Sequence, residues 1–141
     1  MPPDGTSAPK TRKIGPVLIV EDDAALALAV EDSLLAAGAR DVVIAASSAQ
    51  ALETLRDRQF DTVILDVHLA DRGDGWAIAE LIRALGSGRP KVIFATGAPA
   101  EIPKDIADLG TVLAKPYDFD ELVGLVAARE RSSILARLRR D

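Results

Sequence analysis

The chain has 141 residues, a net charge of −5 and no cysteine. That length suits one ordinary domain, which buries about two-thirds of its unfolded surface and needs no covalent staples. Without cysteine there are no disulfides and no thiolate metal sites, and the negative charge disfavours general binding to nucleic acid, which leans on Lys and Arg against phosphates. A single His and few aromatic residues leave little for histidine catalysis or base stacking. No apolar run suits a signal peptide or spans a bilayer. The expected location is the cytoplasm, with neither DNA nor a membrane as partner.

Residues 1–14 carry three Pro with Gly, Ser and Thr and no apolar period, which predicts a disordered tail. Val17-Leu18-Ile19-Val20 is a short apolar run and reads as a buried strand. It ends in Glu21-Asp22-Asp23. The Ala- and Leu-rich segment Ala24 to Ala37 places Leu26, Val30 and Leu34 at helical spacing, and Gly38 follows as a C-terminal cap. Val42-Val43-Ile44 marks a second strand. Ser47 and Gln50 form a capping-box pattern for a helix that ends near Arg58.

Thr62-Val63-Ile64-Leu65-Asp66 is a β-branched and apolar run that ends in one acid. Such runs are strands of a parallel sheet covered on both faces. Val67 to Gly73 reads as a loop. Asp74 caps a third helix, with Ile78, Leu81, Ile82 and Leu85 as its apolar stripe, and Gly86-Ser87-Gly88 breaks it.

Lys91 to Ala95 is the fourth strand and leads into Thr96-Gly97. Pro99 and Pro103 allow only a short, weakly specified helix between Ala98 and Leu109. Thr111 to Ala114 is the fifth strand and leads into Lys115-Pro116. Asp118 and Glu121 bracket the start of a last helix with a stripe of Phe119, Leu122, Val123 and Val126.

Residues 129–141 are basic, with Ile134, Leu135 and Leu138 along one side, and are expected to extend that helix. A solvated helix end accounts for them; a dimer or partner contact is the alternative. The expected state is a monomer or weak dimer.

Five strands alternating with helical segments predict an α/β fold, a doubly wound parallel sheet covered on both faces. With strand order 2-1-3-4-5 the first and third strands are neighbours at the switch point, where ligands bind. Glu21, Asp22 and Asp66 then share one crevice. Two carboxylates about 4 Å apart repel by roughly 4 kcal/mol at an effective dielectric of 20, so the cluster must take up a proton or a cation.

A hard divalent ion with oxygen ligands answers this, and Mg²⁺ fits best because it keeps waters and favours phosphate oxygens. A carboxylate beside such an ion can act as a nucleophile toward phosphorus. These parts assemble an aspartyl-phosphate site. Asp66 is the nucleophile, Asp22 a metal ligand and Glu21 an outer-sphere acid through water. Lys115 and the Thr96 hydroxyl are the phosphate partners.

Val20-Glu21-Asp22-Asp23, Leu65-Asp66, Asp74-Gly75, Thr96-Gly97 and Lys115-Pro116, taken together over residues 15–128, resemble the receiver domain of two-component response regulators. The resemblance implies a flavodoxin-like (βα)5 fold and Mg²⁺ dependence. It implies phosphoryl transfer to Asp66 from a histidine kinase or phosphotransfer protein. It also implies that the backbone carbonyl of His68 is a metal ligand and that the Lys115-Pro116 peptide is cis.

The chain is then a phosphoacceptor signalling protein rather than an enzyme, although it assists its own phosphorylation and dephosphorylation. Taken as a stand-alone receiver, it must pass its output through a downstream target protein. Phe94-Ala95-Thr96-Gly97 is similar to the signature of the FAT GUY subfamily of alphaproteobacterial single-domain receivers, which take part in general stress signalling and pair with kinases of the HWE or related class. That pattern breaks off at Ala98-Pro99-Ala100.

Three further departures stand out. Val112 holds the place of the usual switch aromatic, Ala70 that of a usual Pro, and the loop to Asp74 is one residue longer. Other readings are simpler: Asp23 merely caps a helix, His68 is a loop side chain, and Trp76 packs a helix near the site. By family analogy the positions of His68 and Ala98 tune phosphate hydrolysis.

Rival functions are a phosphorylation-independent adaptor and a Mg²⁺-dependent phosphatase of the haloacid dehalogenase type. The phosphatase would want a second Asp where His68 stands. A flavodoxin-type electron carrier is disfavoured because Glu21 and Asp22 would repel the flavin phosphate.

Overall fold

The apolar runs pair into one parallel sheet. In the computed structural model, which describes residues 14–70, 76–84 and 90–128, β1 (Val17–Val20), β2 (Val42–Ala45), β3 (Thr62–Asp66), β4 (Lys91–Thr96) and β5 (Thr111–Ala114) lie in the order 2-1-3-4-5. The order and the fold class match the expectation. β3 is the central strand, and all five of its residues are buried. Its register pairs Val20 of β1 with Leu65, and Asp66 with Ala95 of β4.

Alternation along the strands feeds two cores. Leu18, Val20, Val63, Leu65, Val92 and Phe94 turn to one face, where Ile78 and Ile82 of α4 (Trp76–Ala84) and Ala51 of α2 (Ser48–Asp57) cover them. Val17, Ile19, Ile64 and Ile93 turn to the other. Val30 and Leu34 of α1 (Ala24–Ala36) and Leu122 and Val126 of α6 (Phe119–Ala127) close that side. Each such Val, Leu, Ile or Phe side chain contributes about 1.5–3 kcal/mol when removed from water. Successive residues of an extended strand point to opposite faces, so strands covered on both sides must be apolar throughout.

The helix ends follow local chemistry. Asp23 caps α1 by accepting the Leu26 amide at 3.1 Å. Gly38, at φ +110°, ends it: the Ala39 amide reaches back to the Leu34 carbonyl and the Gly38 amide to that of Leu35. That pair of bonds is the Schellman arrangement, and buried Ala39 packs beneath it. The buried stripe of α1 is Ala27, Val30 and Leu34; Leu26, expected there, is only half-buried.

Ser47 caps α2 through the Gln50 amide, but the Gln50 side chain accepts from Ala46 rather than from Ser47 itself. Asp118 caps α6 through the Asp120 amide, without Glu121. α6 stops at Ala127, Ala128 is extended, and the Lys91 ammonium donates to the carbonyls of Leu125, Val126 and Ala128.

The structure corrects the stretch after β3. A loop was expected from Val67 to Gly73, yet the chain turns straight into a short helix, α3 (Val67–Ala70). The cause is local: the Asp66 carboxylate accepts the His68 amide at 3.0 Å and so caps that turn.

Between β4 and β5 the two prolines act as expected. Pro99 opens a single 3-10 turn to Glu101, and Pro103 stands at the N-cap of the four-residue α5 (Lys104–Ala107). The segments 1–13 and 129–141, the Asp74-Gly75 motif, Leu85 and the Gly86-Ser87-Gly88 break lie outside the described residues.

Candidate functional site

Strand register alone gathers the site. β1 and β3 are neighbours and end level, so Glu21 and Asp22 leave the sheet beside Asp66. Carboxylate oxygens of Glu21, Asp22 and Asp66 all lie within 4.8 Å of one another. Glu21 and Asp66 are buried and Asp22 is exposed. β4 and β5 bring the remaining groups: Thr96 pairs with Ala114 across the ladder, and the Lys115 amide donates to the Thr96 carbonyl at 2.7 Å.

The Lys115 ammonium reaches across the rim to Asp66 Oδ1 at 3.0 Å and approaches Glu21 Oε1 at 4.0 Å. Asp66 Oδ1 therefore holds two donors, Lys115 Nζ and the His68 amide. Glu21 Oε2 accepts the Asp23 amide at 3.2 Å. Thr96 is buried, and its hydroxyl oxygen accepts the Ala98 amide at 2.9 Å. That bond leaves the hydroxyl proton available for donation. The Lys115-Pro116 peptide is cis, as the resemblance implied.

Electrostatics mark the cluster as short of positive charge. Glu21 is raised from 4.5 to about 7, first by burial and then by its hydrogen bond to Asp66; the Asp23 amide and the Lys115 charge only partly offset this. A proton on Glu21 is thus one answer to the crowding, and a cation is the other. Three carboxylate donors with a lysine at one edge form an all-oxygen set, which fits a hard divalent ion such as Mg²⁺.

Two contributions were not anticipated from the sequence. One is the His68 amide on Asp66: backbone donors carry no residue-type signal, and only the tight turn into α3 aims this one. The side chain of His68 is exposed. The other is Tyr117. Its phenol is pushed from 10 to about 12, mainly by burial and further by the charges of Glu21 and Asp66. Its place two residues beyond Lys115 was the available hint. The side chain of Trp76 lies outside what the structure describes.

A parallel sheet in this order, with an acid cluster and a lysine at its carboxyl rim, defines a class of signalling domain. Residues 17–127 match the family model described as response regulator receiver domain. The chain belongs to that family. It is 35% identical over 108 residues to the transcriptional regulatory protein ZraR of Escherichia coli O157:H7, a match that covers 75% of this chain and 24% of ZraR. The chain thus spans about a quarter of that relative.

Among solved structures, it is similar to a CheY-like receiver domain from Methylobacillus flagellatus, with 28% identity, TM-score 0.67, and 78% of this chain and 93% of that one covered. It is also similar to the receiver domain of the sensor histidine kinase PA1611 from Pseudomonas aeruginosa PAO1. There the identity is 25%, the TM-score 0.65, the coverage 81% and 98%, and a magnesium ion is coordinated in that protein's active-site cleft. Receiver domains are signalling domains that interact with histidine kinases or phosphotransfer proteins and bind Mg²⁺ at an acidic site. No helix among the described residues is long and apolar enough to cross a membrane.

Proposed function

We propose that this receiver takes a phosphoryl group on Asp66 from the phosphohistidine of a kinase or phosphotransfer protein. The observation that carries the reading is the 3.0 Å contact between Lys115 Nζ and Asp66 Oδ1 inside a cluster of three carboxylates. An Asp66 oxygen forms the bond to phosphorus as the phosphorus–nitrogen bond of the donor breaks, and the electron pair leaves with the imidazole. Lys115 starts on Asp66 and moves its charge to the arriving phosphoryl oxygens. The Thr96 hydroxyl donates to another of them. The His68 amide holds the carboxylate plane while this happens.

Asp22, Asp66, the carbonyl of His68 and, through water, Glu21 would hold Mg²⁺. When bound, the ion supplies positive charge to the transferring group and helps to align it.

The Phe94-Ala95-Thr96-Gly97 run supports a place in the FAT GUY group. With it come a cytoplasmic role in general stress signalling, a kinase of the HWE class and a downstream target protein engaged by the phosphorylated form. The deciding experiment is incubation with a competent phosphohistidine donor and magnesium, followed by intact-mass and peptide mass spectrometry. The expected result is one added phosphoryl on the peptide bearing Asp66 and none on Asp66→Asn. An unmodified wild-type chain beside a fully modified reference receiver would reject the reading.

A further inference from the structure

Two large apolar side chains are exposed among the described residues, Leu28 and Leu35, and both lie on α1. They are seven residues apart, two turns of helix, so they share the outward side with exposed Asp32 between them and half-buried Glu31 beside it. The inward side of the same helix packs Val30 and Leu34 against Leu122 and Val126 of α6. α1 and α6 each follow a strand of one parallel sheet, so their last turns lie at the same rim. The chain leaves α6 at Ala128, beside the end of α1 that carries Leu35.

Thirteen residues follow Ala128. They hold five arginines (129, 131, 137, 139 and 140) against Glu130 and Asp141, and they place Ile134, Leu135 and Leu138 together. The segment carries +3 and the whole chain −5, so the remaining residues carry −8. The apolar and acidic strip on α1 is thus matched by an apolar and basic segment that begins next to it. Reach is not limiting: thirteen residues span up to about 43 Å when extended, and the 13 residues of α1 rise about 20 Å.

We infer that residues 129–141 dock on the outer face of α1 of the same chain. Ile134, Leu135 and Leu138 cover Leu28 and Leu35, and Arg137, Arg139 and Arg140 face Glu31 and Asp32.

The absence of cysteine gives a clean test on the 141-residue chain. Ser133→Cys is coupled to a nitroxide label, and amide signals of Ala24–Ala36 are compared with the reduced label. The expected result is loss of intensity around Leu28 to Leu35. That loss is relieved by Arg137→Glu/Arg139→Glu/Arg140→Glu in the labelled segment, and independently by Leu28→Ser/Leu35→Ser. It also weakens at 1 M salt, where screening shortens to about 3 Å. Uniform intensities across α1 in the folded, labelled chain overturn the inference. So does loss that appears only when labelled chain without ¹⁵N is mixed with ¹⁵N-labelled chain without nitroxide, because the occupant is then a second copy.

Discussion

At the scale of single residues, the site is a contest for positive charge. Burial first, and then its hydrogen bond to Asp66, raise Glu21 to about 7, and the Lys115 charge offsets only part of this. An unfolded glutamate loses its proton near 4.5. Between those values the folded chain holds a proton that the unfolded chain has released. The stability of the metal-free protein therefore falls as pH rises through that window. Urea unfolding at a series of pH values measures the slope, and Glu21→Gln should flatten it; an unchanged slope in that variant would count against Glu21 as its source.

Tyr117 reports on the same crowding. It is the one tyrosine of the chain, so ultraviolet absorbance at alkaline pH follows it alone. The phenol should ionise near 12 in the folded protein and near 10 after unfolding. By the same sign, stability drops between those two values. Asp66→Asn removes one of the charges that hold the phenol up, and its titration should move toward 10.

At the scale of elements, two turns that end helices and admit strands are sensitive to single changes. Gly38 closes α1 at φ +110°, a region where an L side chain is strained. Gly38→Ala should destabilise by about 1 kcal/mol, read as a shift in the urea midpoint. Gly110 is under tighter constraint. A β-carbon there would sit 2.2 Å from the Val92 carbonyl oxygen, which belongs to the backbone of β4 and cannot swing aside. Gly110→Ala should cost on the order of 2 kcal/mol or more and disturb the β4–β5 pairing. That pairing carries Thr96 toward Lys115, so the same variant should slow phosphorylation even when folded.

At the scale of the whole molecule, the sheet is packed on both faces, and among the described residues the segment from Gly97 to Leu109 covers it with little regular structure. It has one 3-10 turn, one four-residue helix, and Ile102 and Ile106 as its buried anchors. It is tied to α4 by the exposed Arg83–Asp105 pair, which contributes at most about 1 kcal/mol. A doubly negative group on Asp66, as proposed above, would draw Thr96 and Lys115 inward and bias this segment. Beryllofluoride with Mg²⁺ should therefore move the amide signals of Ala98 to Leu109 more than those of α2. Equal or absent shifts there would place the responding element elsewhere. Val112 is half-buried among the residues of the α4 face, so the response has to proceed without an aromatic ring at that position.

The order of the strands and of the helices other than α3, the two-sided apolar cores and the acids at strand ends were legible in the chain. Each is written in periodicity and residue type, which act locally. The sequence could also nominate Glu21, Asp22, Asp66, Thr96 and Lys115, because each terminates or follows an apolar run. What it could not state was how near they come. The 3.0 Å reach of Lys115 to Asp66 depends on the register of strands that are distant in sequence. The helix that replaces the expected loop after Asp66 depends on one carboxylate accepting a backbone amide. Proton affinities such as that of Glu21 arise only when packing removes water and sets like charges side by side. Local patterns in the sequence encode the elements, but those energies depend on distances that exist only once the chain has folded.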